Sequence, residues 1–286
     1  MEKITSPTPI AILMATYNGE RFIKEQLDSL VGQTSQDWTL YIHDDGSTDN
    51  TPQILQQYAE SNPNIHVLEY ESQRGAMRNF FSLLQRVDAD YYMFCDQDDV
   101  WLEKKVATSL AEMKHIESTH PARPVIVYTD LHVTDASLNI TNPSFWQEIC
   151  LHPEFINTFD DMAASTAVTG CAMLFNQNAK NAIVFPATHA LMHDAWITAC
   201  TLKRGGIIHP IYEKMVLYRQ HEANCIGAED LNNISLAYRI RNFKTMQRRN
   251  WELYKMLRSL DYGSIFKFYR FKLRYKNRIR QKAKNR

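Results

Sequence analysis

No stretch of this 286-residue chain approaches the roughly 18 consecutive apolar residues that a membrane-spanning helix requires. Its first dozen residues also lack the basic start and apolar run of a secretion signal. The folded part is therefore expected in the cytoplasm. Cysteine is sparse: Cys95, Cys150, Cys171, Cys200 and Cys225 are odd in number, widely scattered and never in C-x-x-C spacing. That argues against zinc or redox chemistry and leaves reduced core thiols. No internal repeat is visible, and no low-complexity segment precedes the basic C-terminus. What is present, 44% apolar residues, can fill the core of one large domain or two small ones.

The formal net charge of zero conceals a split. Residues 239–286 hold 17 Lys or Arg against Glu252 and Asp261, a net of +15, which leaves residues 1–238 at −15.

Apolar runs of strand length alternate with helical periodicity over the first 95 residues. Strands are expected at 10–16, 39–43, 65–68 and 91–95, and helices at 20–31, from Thr51 with Pro52 next to it, and at 76–87. Three β-α units in succession predict an α/β fold, a mostly parallel sheet with helices on both faces. Beyond it, residues 101–116 look helical, 125–128 form a strand ending at Asp130, and 131–169 read as a long excursion covering a site. A strand at 171–175, a helix at 193–202 and one or two strands within 207–218, broken at Pro210, complete the reading.

Two acidic clusters stand at strand ends: His43-Asp44-Asp45-Gly46-Ser47-Thr48-Asp49 and Cys95-Asp96-Gln97-Asp98-Asp99. Crowded carboxylates are costly unless something positive or hydrogen-bond-donating joins them. Ligands of open α/β sheets bind at the carboxyl ends of strands, so the two clusters point to one site. Asp96 and Asp98, one residue apart, can present both carboxylates to a hard divalent cation that bridges to phosphate oxygens. The bland alternative is an acidic helix N-terminus, because Asp98 and Asp99 precede the expected helix at Trp101.

Ala15-Thr16-Tyr17-Asn18-Gly19, Asp44-Asp45-Gly46-Ser47-Thr48-Asp49 and Asp96-Gln97-Asp98-Asp99, in this order and spacing, resemble family 2 glycosyltransferases of the GT-A fold. The resemblance covers roughly residues 8–235. It implies a GT-A catalytic domain over 1–238, with a nucleotide-binding half at about 1–130 and an acceptor half at 131–238. It places the nucleotide on Thr16, Tyr17, Asn18, Asp44 and Asp45, with Asp44 accepting N3–H of uracil or thymine and Asp96 sharing the metal or holding the ribose. The lesser alternative for Asp44 is an Asx-turn residue beside Gly46. Arg74, with Gly75 beside it and Asn79 one helical turn on, falls where the family has a positive or amide group near the base and diphosphate. Gly170-Cys171-Ala172 and His193-Asp194-Ala195-Trp196 resemble acceptor-side elements in which the carboxylate, here Asp194, is the catalytic base; a helix cap is the alternative. Tyr218-Arg219-Gln220-His221 resembles a late segment that meets the diphosphate or metal, so Arg219 is a nucleotide candidate. His221 joins Asp96 and Asp98 as a metal candidate, although a lone His is more often only hydrogen-bonded.

The cofactor this implies is Mg²⁺ or Mn²⁺, the donor a UDP- or dTDP-sugar, and the reaction a single displacement with inversion. The texture of D-Q-D-D-x-W, H-D-x-W and Y-R-Q-H is most similar to bacterial rhamnosyltransferase-type enzymes of O-antigen or capsule synthesis, with a glycan or lipid-linked acceptor. Two other classes compete. A sugar-nucleotide pyrophosphorylase needs a glycine-rich, Arg-containing loop after the first strand, which Ala15-Thr16-Tyr17-Asn18-Gly19-Glu20 does not supply. A non-catalytic membrane- or RNA-binding module is favoured only if Asp96 and Asp98 bind no metal.

From residue 262 onward Phe266, Phe268, Tyr269, Phe271, Leu273, Tyr275 and Ile279 are interleaved with nine Lys or Arg up to Lys284, and these aromatics have no obvious partner in the sheet. The pattern fits a helix on an anionic membrane surface, which would hold the enzyme at the inner face of the cell membrane. Nucleic acid is the lesser alternative, and a solvated charged end the plainest.

Overall fold

The computed structural model describes residues 3–222 and 243–284. A short strand β1 (Ile4–Thr5) leads to the central strand β2 (Ile10–Thr16), followed by α1 (Ile23–Val31), β3 (Trp38–Asp44), α2 (Thr51–Ser61), β4 (Ile65–Val67) and α3 (Ala76–Arg86). β5 (Val87–Asp88) pairs with β1, and β6 (Tyr91–Cys95) returns beside β2. β2 is an almost unbroken apolar run because helices cover both faces of the sheet. Ala11 and Leu13 pack with Phe80, Leu83 and Leu84 of α3, whereas Ile10, Ile12 and Met14 pack with Ile23, Leu27 and Leu30 of α1. The side-chain period of two thus divides one strand between two cores.

The chain continues through β7 (Val100–Trp101), α4 (Lys105–Thr119), β8 (Val125–Thr134), β9 (Ile140–Asn142), α5 (Phe145–Glu148) and three short 3₁₀ turns, the last at Gly170–Ala172. β10 (Met173–Asn176), α6 (Gln177–Ala182), α7 (His193–Lys203) and β11 (Ile207–Arg219) follow, then α8 (Phe243–Ser259) and α9 (Ile265–Lys284). The main sheet runs β4-β3-β2-β6-β10-β8-β11-β7, with β9 paired to β8. Its first four strands are parallel, β10 is antiparallel to both neighbours, and β8 and β11 are parallel. Because β10 runs against β6, the Gly170–Ala172 turn that opens it stands at the end of β6 where Asp96 begins.

Several boundaries differ from the sequence reading. The helix expected from residue 101 starts at Lys105, because Val100 and Trp101 pair with Leu217 and Val216 of β11. The strand expected at 125–128 runs on to Thr134, since β11 stays alongside it. Pro210 does not break β11: β7 covers only Val216 and Leu217, so at Pro210 the second edge is open and no ladder donor is missed.

The C-terminal aromatics do have partners, which corrects the expectation that they have none. Tyr262 and Phe268 are fully buried in the core cluster that contains Trp196 and Met162, and Phe271 and Tyr275 pack against it. Tyr262 donates its hydroxyl to the Asp160 carbonyl at 2.8 Å, and His152 N–H donates to the Tyr275 hydroxyl at 2.8 Å. The expected boundary at 238/239 and Cys225 lie outside the described residues. Among the described residues no helix is long and apolar enough to cross a membrane.

Candidate active site

Parallel pairing sets Thr16 opposite Asp44 and Met14 opposite Cys95, so the turns after β2, β3 and β6 open on one edge of the sheet. Asp44 closes an Asx turn: Ser47 N–H and Oγ donate to it at 2.8 and 2.6 Å, and Thr16 Oγ1 at 2.9 Å. Gly46 supplies the positive φ (+89°) this turn requires. A carboxylate accepts about four hydrogen bonds, so the half-buried Asp44 keeps acceptor capacity for a ring N–H. Tyr17, next in sequence to Thr16, is 56% exposed and available for stacking.

Three residues of the expected nucleotide set are committed to the protein instead. The Asn18 side-chain Oδ1 accepts Thr48 N–H at 2.8 Å and its backbone N–H donates to Ser47 Oγ at 2.7 Å, which fixes the turn after β2. Asp45 turns away and clamps the next loop: Ser72 Oγ and the N–H groups of Gln73, Arg74 and Gly75 donate to its carboxylate. Burial alone would raise its pKa, but those donors together hold it below the usual carboxylate value. Arg219 is buried, with its guanidinium donating to the Asp98 carbonyl (2.7 Å), the Ala136 carbonyl (2.6 Å) and Glu25. It ties three segments together. Asn79 is likewise buried, bonded to His43. Arg74, which the Asp45 clamp holds at φ 54°, is exposed, and among the described residues its guanidinium has no hydrogen-bond partner.

The second acidic cluster is locked to the turn after β2 by a residue not singled out from sequence, Gln97. Its amide accepts Tyr17 N–H at 2.9 Å and donates to the Tyr17 carbonyl at 3.0 Å. A Cβ on Gly19 would lie 2.5 Å from the Gln97 amide oxygen, so glycine permits this approach. Asp98 Oδ2 meets His221 Nε2 at 2.8 Å, with the two side chains 16% and 12% exposed. Two neighbouring ligands of an octahedral Mg²⁺, each about 2.1 Å from the ion, stand roughly 3 Å apart. The Asp98–His221 pair fits that requirement. Asp96, Asp99 and Cys171 also come within 4.8 Å of one another. Burial holds the Cys171 thiol protonated and pushes the buried Asp99 upward, a poor donor set for a hard cation.

Beneath them lies Lys105, fully buried, its ammonium 3.7 Å from the centroid of the Trp101 ring. Burial lowers its pKa to about 8, with Cys171, Cys95 and Asp99 as the acidic groups around it. Its phase with Ser109 and Met113 on the inward side of α4 was the sequence signal that could have found it. Asp96 is pushed up to about 7, first by burial and then by repulsion from Asp98 and Asp194.

The Gly170–Ala172 turn, which stands at the end of β6, brings Asp194 to the same edge of the sheet through a hydrogen bond. Asp194 stands in the first turn of α7, where Gly170 N–H donates to Oδ2 at 3.0 Å and Ala195 N–H to Oδ1 at 2.6 Å. His193 beside it is buried between Phe80 and Phe94, with ring centroids 4.4 and 4.6 Å away. Burial keeps this imidazole neutral, and among the described residues neither ring nitrogen has a hydrogen-bond partner. Its Nε2 would sit 2.6 Å from a Cβ on Gly170. Asp130, expected from sequence at a strand end, is buried and accepts hydrogen bonds from Ser144 Oγ and Trp146 N–H.

An α/β sheet with acidic strand ends, a carboxylate–histidine pair and a further carboxylate at the start of α7 is the architecture of nucleotide-sugar transferases of the GT-A type. The family model "Glycosyl transferase family 2" matches residues 11–179, and the chain belongs to that family. It is similar to dTDP-rhamnosyl transferase RfbG of Shigella flexneri, 29% identical over 231 residues, 75% of this chain and 74% of RfbG. Over 104 residues, 36% of this chain and 40% of the other, it is 29% identical to UDP-Glc:alpha-D-GlcNAc-diphosphoundecaprenol beta-1,3-glucosyltransferase WfgD of Escherichia coli. The fold is shared with S. aureus TarS 1-349 in complex with UDP, at TM-score 0.56 and 18% identity, over 74% of this chain and 61% of that one. The chain thus spans about three fifths of that structure. Mannosyltransferase PcManGT from Pyrobaculum calidifontis, in complex with GDP-Man and Mn2+, has the same fold at TM-score 0.57 and 16% identity, over 91% of this chain and 77% of the other. The protein is a glycosyltransferase that takes its sugar from a nucleotide sugar; a pyrophosphorylase and a non-catalytic module are set aside.

Proposed function

We propose that this glycosyltransferase is metal-dependent and inverting, and that it moves a sugar, rhamnose in the first instance, from a dTDP- or UDP-sugar to a hydroxyl of a glycan or lipid-linked acceptor in O-antigen or capsule synthesis. Similarity to RfbG over three quarters of both chains supports the rhamnose and dTDP choices. Tyr17, Thr16 and Asp44 hold the base, the exposed Arg74 reaches the diphosphate, and Asp96, Asp98 and His221 hold Mg²⁺ or Mn²⁺. The ion supplies Lewis-acid neutralisation of the departing diphosphate.

Asp194 takes the acceptor proton as the hydroxyl oxygen bonds to the anomeric carbon, and the carbon–oxygen bond to the diphosphate breaks on the opposite face. The two N–H donors at Asp194 orient its carboxylate for this step. One observation carries the proposal: the Asp98–His221 pair follows the end of β6, and the Gly170–Ala172 turn that meets the same strand end holds Asp194 through the Gly170 N–H. We place the enzyme at the inner face of the cell membrane, where a lipid-linked acceptor is met. The test is a screen of dTDP- and UDP-sugars for nucleotide release with and without Mn²⁺. Release from dTDP-rhamnose only with metal supports the reading; equal release in chelator refutes metal dependence.

A further inference from the structure

Helix α9 has two faces of different chemistry. Ile265, Phe268, Phe271, Tyr275 and Ile279 recur every three or four residues, and the first four of them pack against the domain. The cations on that side are also matched. Lys267 pairs with Asp160 at 2.5 Å, Lys272 donates to the Ala163 carbonyl at 3.1 Å, and Lys282 pairs with Glu154. The structure therefore accounts for half of the basic, aromatic pattern as docking of the helix onto its own domain.

The other face has no such account. Phe266 is 84% exposed and Leu273 60%, two turns apart on one line, with Tyr269 beside them. Arg270, Arg274, Lys276, Arg280 and Lys284 flank that line, all exposed, and among the described residues none has an acidic partner. α9 contains nine Lys or Arg and no Asp or Glu over its roughly 30 Å length. A second stripe runs along α8: Lys244, Arg248, Trp251, Lys255 and Arg258, spaced by four and three, are all exposed. Tyr269 donates to Gln247 at 3.0 Å and joins the two helices on this side.

We propose that the outward face of α9, with the α8 stripe next to it, is a docking surface for anionic phospholipid. A helix held rigidly by its inner face presents an apolar line, Phe266 and Leu273, to the acyl boundary while the flanking guanidinium and ammonium groups meet phosphate headgroups. Nucleic acid would also attract the cations, but it stacks on aromatic faces and offers nothing to an exposed leucine at the centre of the stripe. The inference deepens the membrane placement above and rests on it. It is independent of the donor and base assignments, because none of these side chains belongs to the cleft.

The test is co-sedimentation of the full chain with vesicles of phosphatidylcholine alone or mixed with phosphatidylglycerol. Two variants are compared, Arg270→Gln/Arg274→Gln/Arg280→Gln and Phe266→Ser/Leu273→Ser, all at exposed positions. Melting temperature and metal-dependent dTDP binding without vesicles serve as controls, so a failed donor reading would appear there and not in the sedimentation. The wild type should bind the anionic vesicles and not the neutral ones. Each cation removed should weaken binding about fivefold, so the triple variant should lose on the order of a hundredfold. The double variant should bind at low salt and be released by added salt before the wild type. Equal binding to both vesicle types, or unchanged binding by the triple variant, overturns the proposal. Tighter binding to single-stranded RNA than to anionic vesicles also overturns it and gives the surface to nucleic acid.

Discussion

Replacing Gly170 with alanine places a methyl group where the structure has no room for one. The new Cβ would lie 2.6 Å from His193 Nε2, whereas ordinary contact begins near 3.4 Å, so a gap of about 0.8 Å must open. The imidazole cannot yield into free space, because Phe80 and Phe94 hold it at 4.4 and 4.6 Å. The strain therefore falls on the start of α7 or on the Gly170–Ala172 turn, and both carry the hydrogen bond from Gly170 N–H to Asp194. Overpacking of this kind costs about 1–3 kcal/mol of stability. A catalytic group displaced by close to 1 Å costs on the order of a hundredfold in rate. Gly170→Ala should then lower kcat by that order while the dTDP dissociation constant stays within about threefold, as measured by steady-state transfer and calorimetry. Adding His193→Ala should recover much of the rate, since it removes the atom that clashes. Wild-type kcat in Gly170→Ala would refute the reasoning, and no rescue by His193→Ala would show that the imidazole is not the obstacle.

Other outcomes follow from the same geometry. Asp98→Ala should abolish the Mn²⁺-dependent part of dTDP or UDP binding in calorimetry, and unchanged affinity with metal present would remove Asp98 from the metal site. Arg219→Met should cost about 3 kcal/mol, roughly 6–10 °C in melting temperature, because two carbonyls and Glu25 lose their partner. A normal melt with lost nucleotide binding would return Arg219 to the phosphate. Lys272 is lowered to about 8, first by burial and then by Lys276, so the unfolded chain binds more protons between about pH 8 and 10.5. Stability should rise with pH across that window in urea titrations, and Lys272→Met should flatten the rise; an unchanged slope would contradict the burial argument.

The first half of the chain was legible because its physics is local. Parallel strands covered on both faces read as continuous apolar runs, and the acidic turns follow them directly, so Asp44, Asp96 and Asp98 could be placed at strand ends from spacing alone. What escaped was set by distant partners. Val100 and Trp101 look like a helix start until Val216 and Leu217 arrive to pair with them. Arg219 reads as a phosphate ligand until Glu25 and the Ala136 carbonyl, from opposite parts of the chain, take its guanidinium. Asp45 is indistinguishable from Asp44 in sequence, and only the fold of residues 72–75 turns it away. The two faces of α9 were available in the helical phase: Phe268, Phe271 and Tyr275 share one side, and Phe266 and Leu273 the other.

The central claim is that Asp194 removes the acceptor proton while the Asp98 side of the cleft holds the donor. Asp194→Asn tests it most directly, because the amide keeps the shape of the carboxylate and cannot accept the proton in the same way. With Mn²⁺ present, the variant should bind dTDP- or UDP-sugar as the wild type does and transfer it about 10²–10⁴-fold more slowly. Turnover within about threefold of wild type, with donor binding intact, would contradict the account and move the base to another residue.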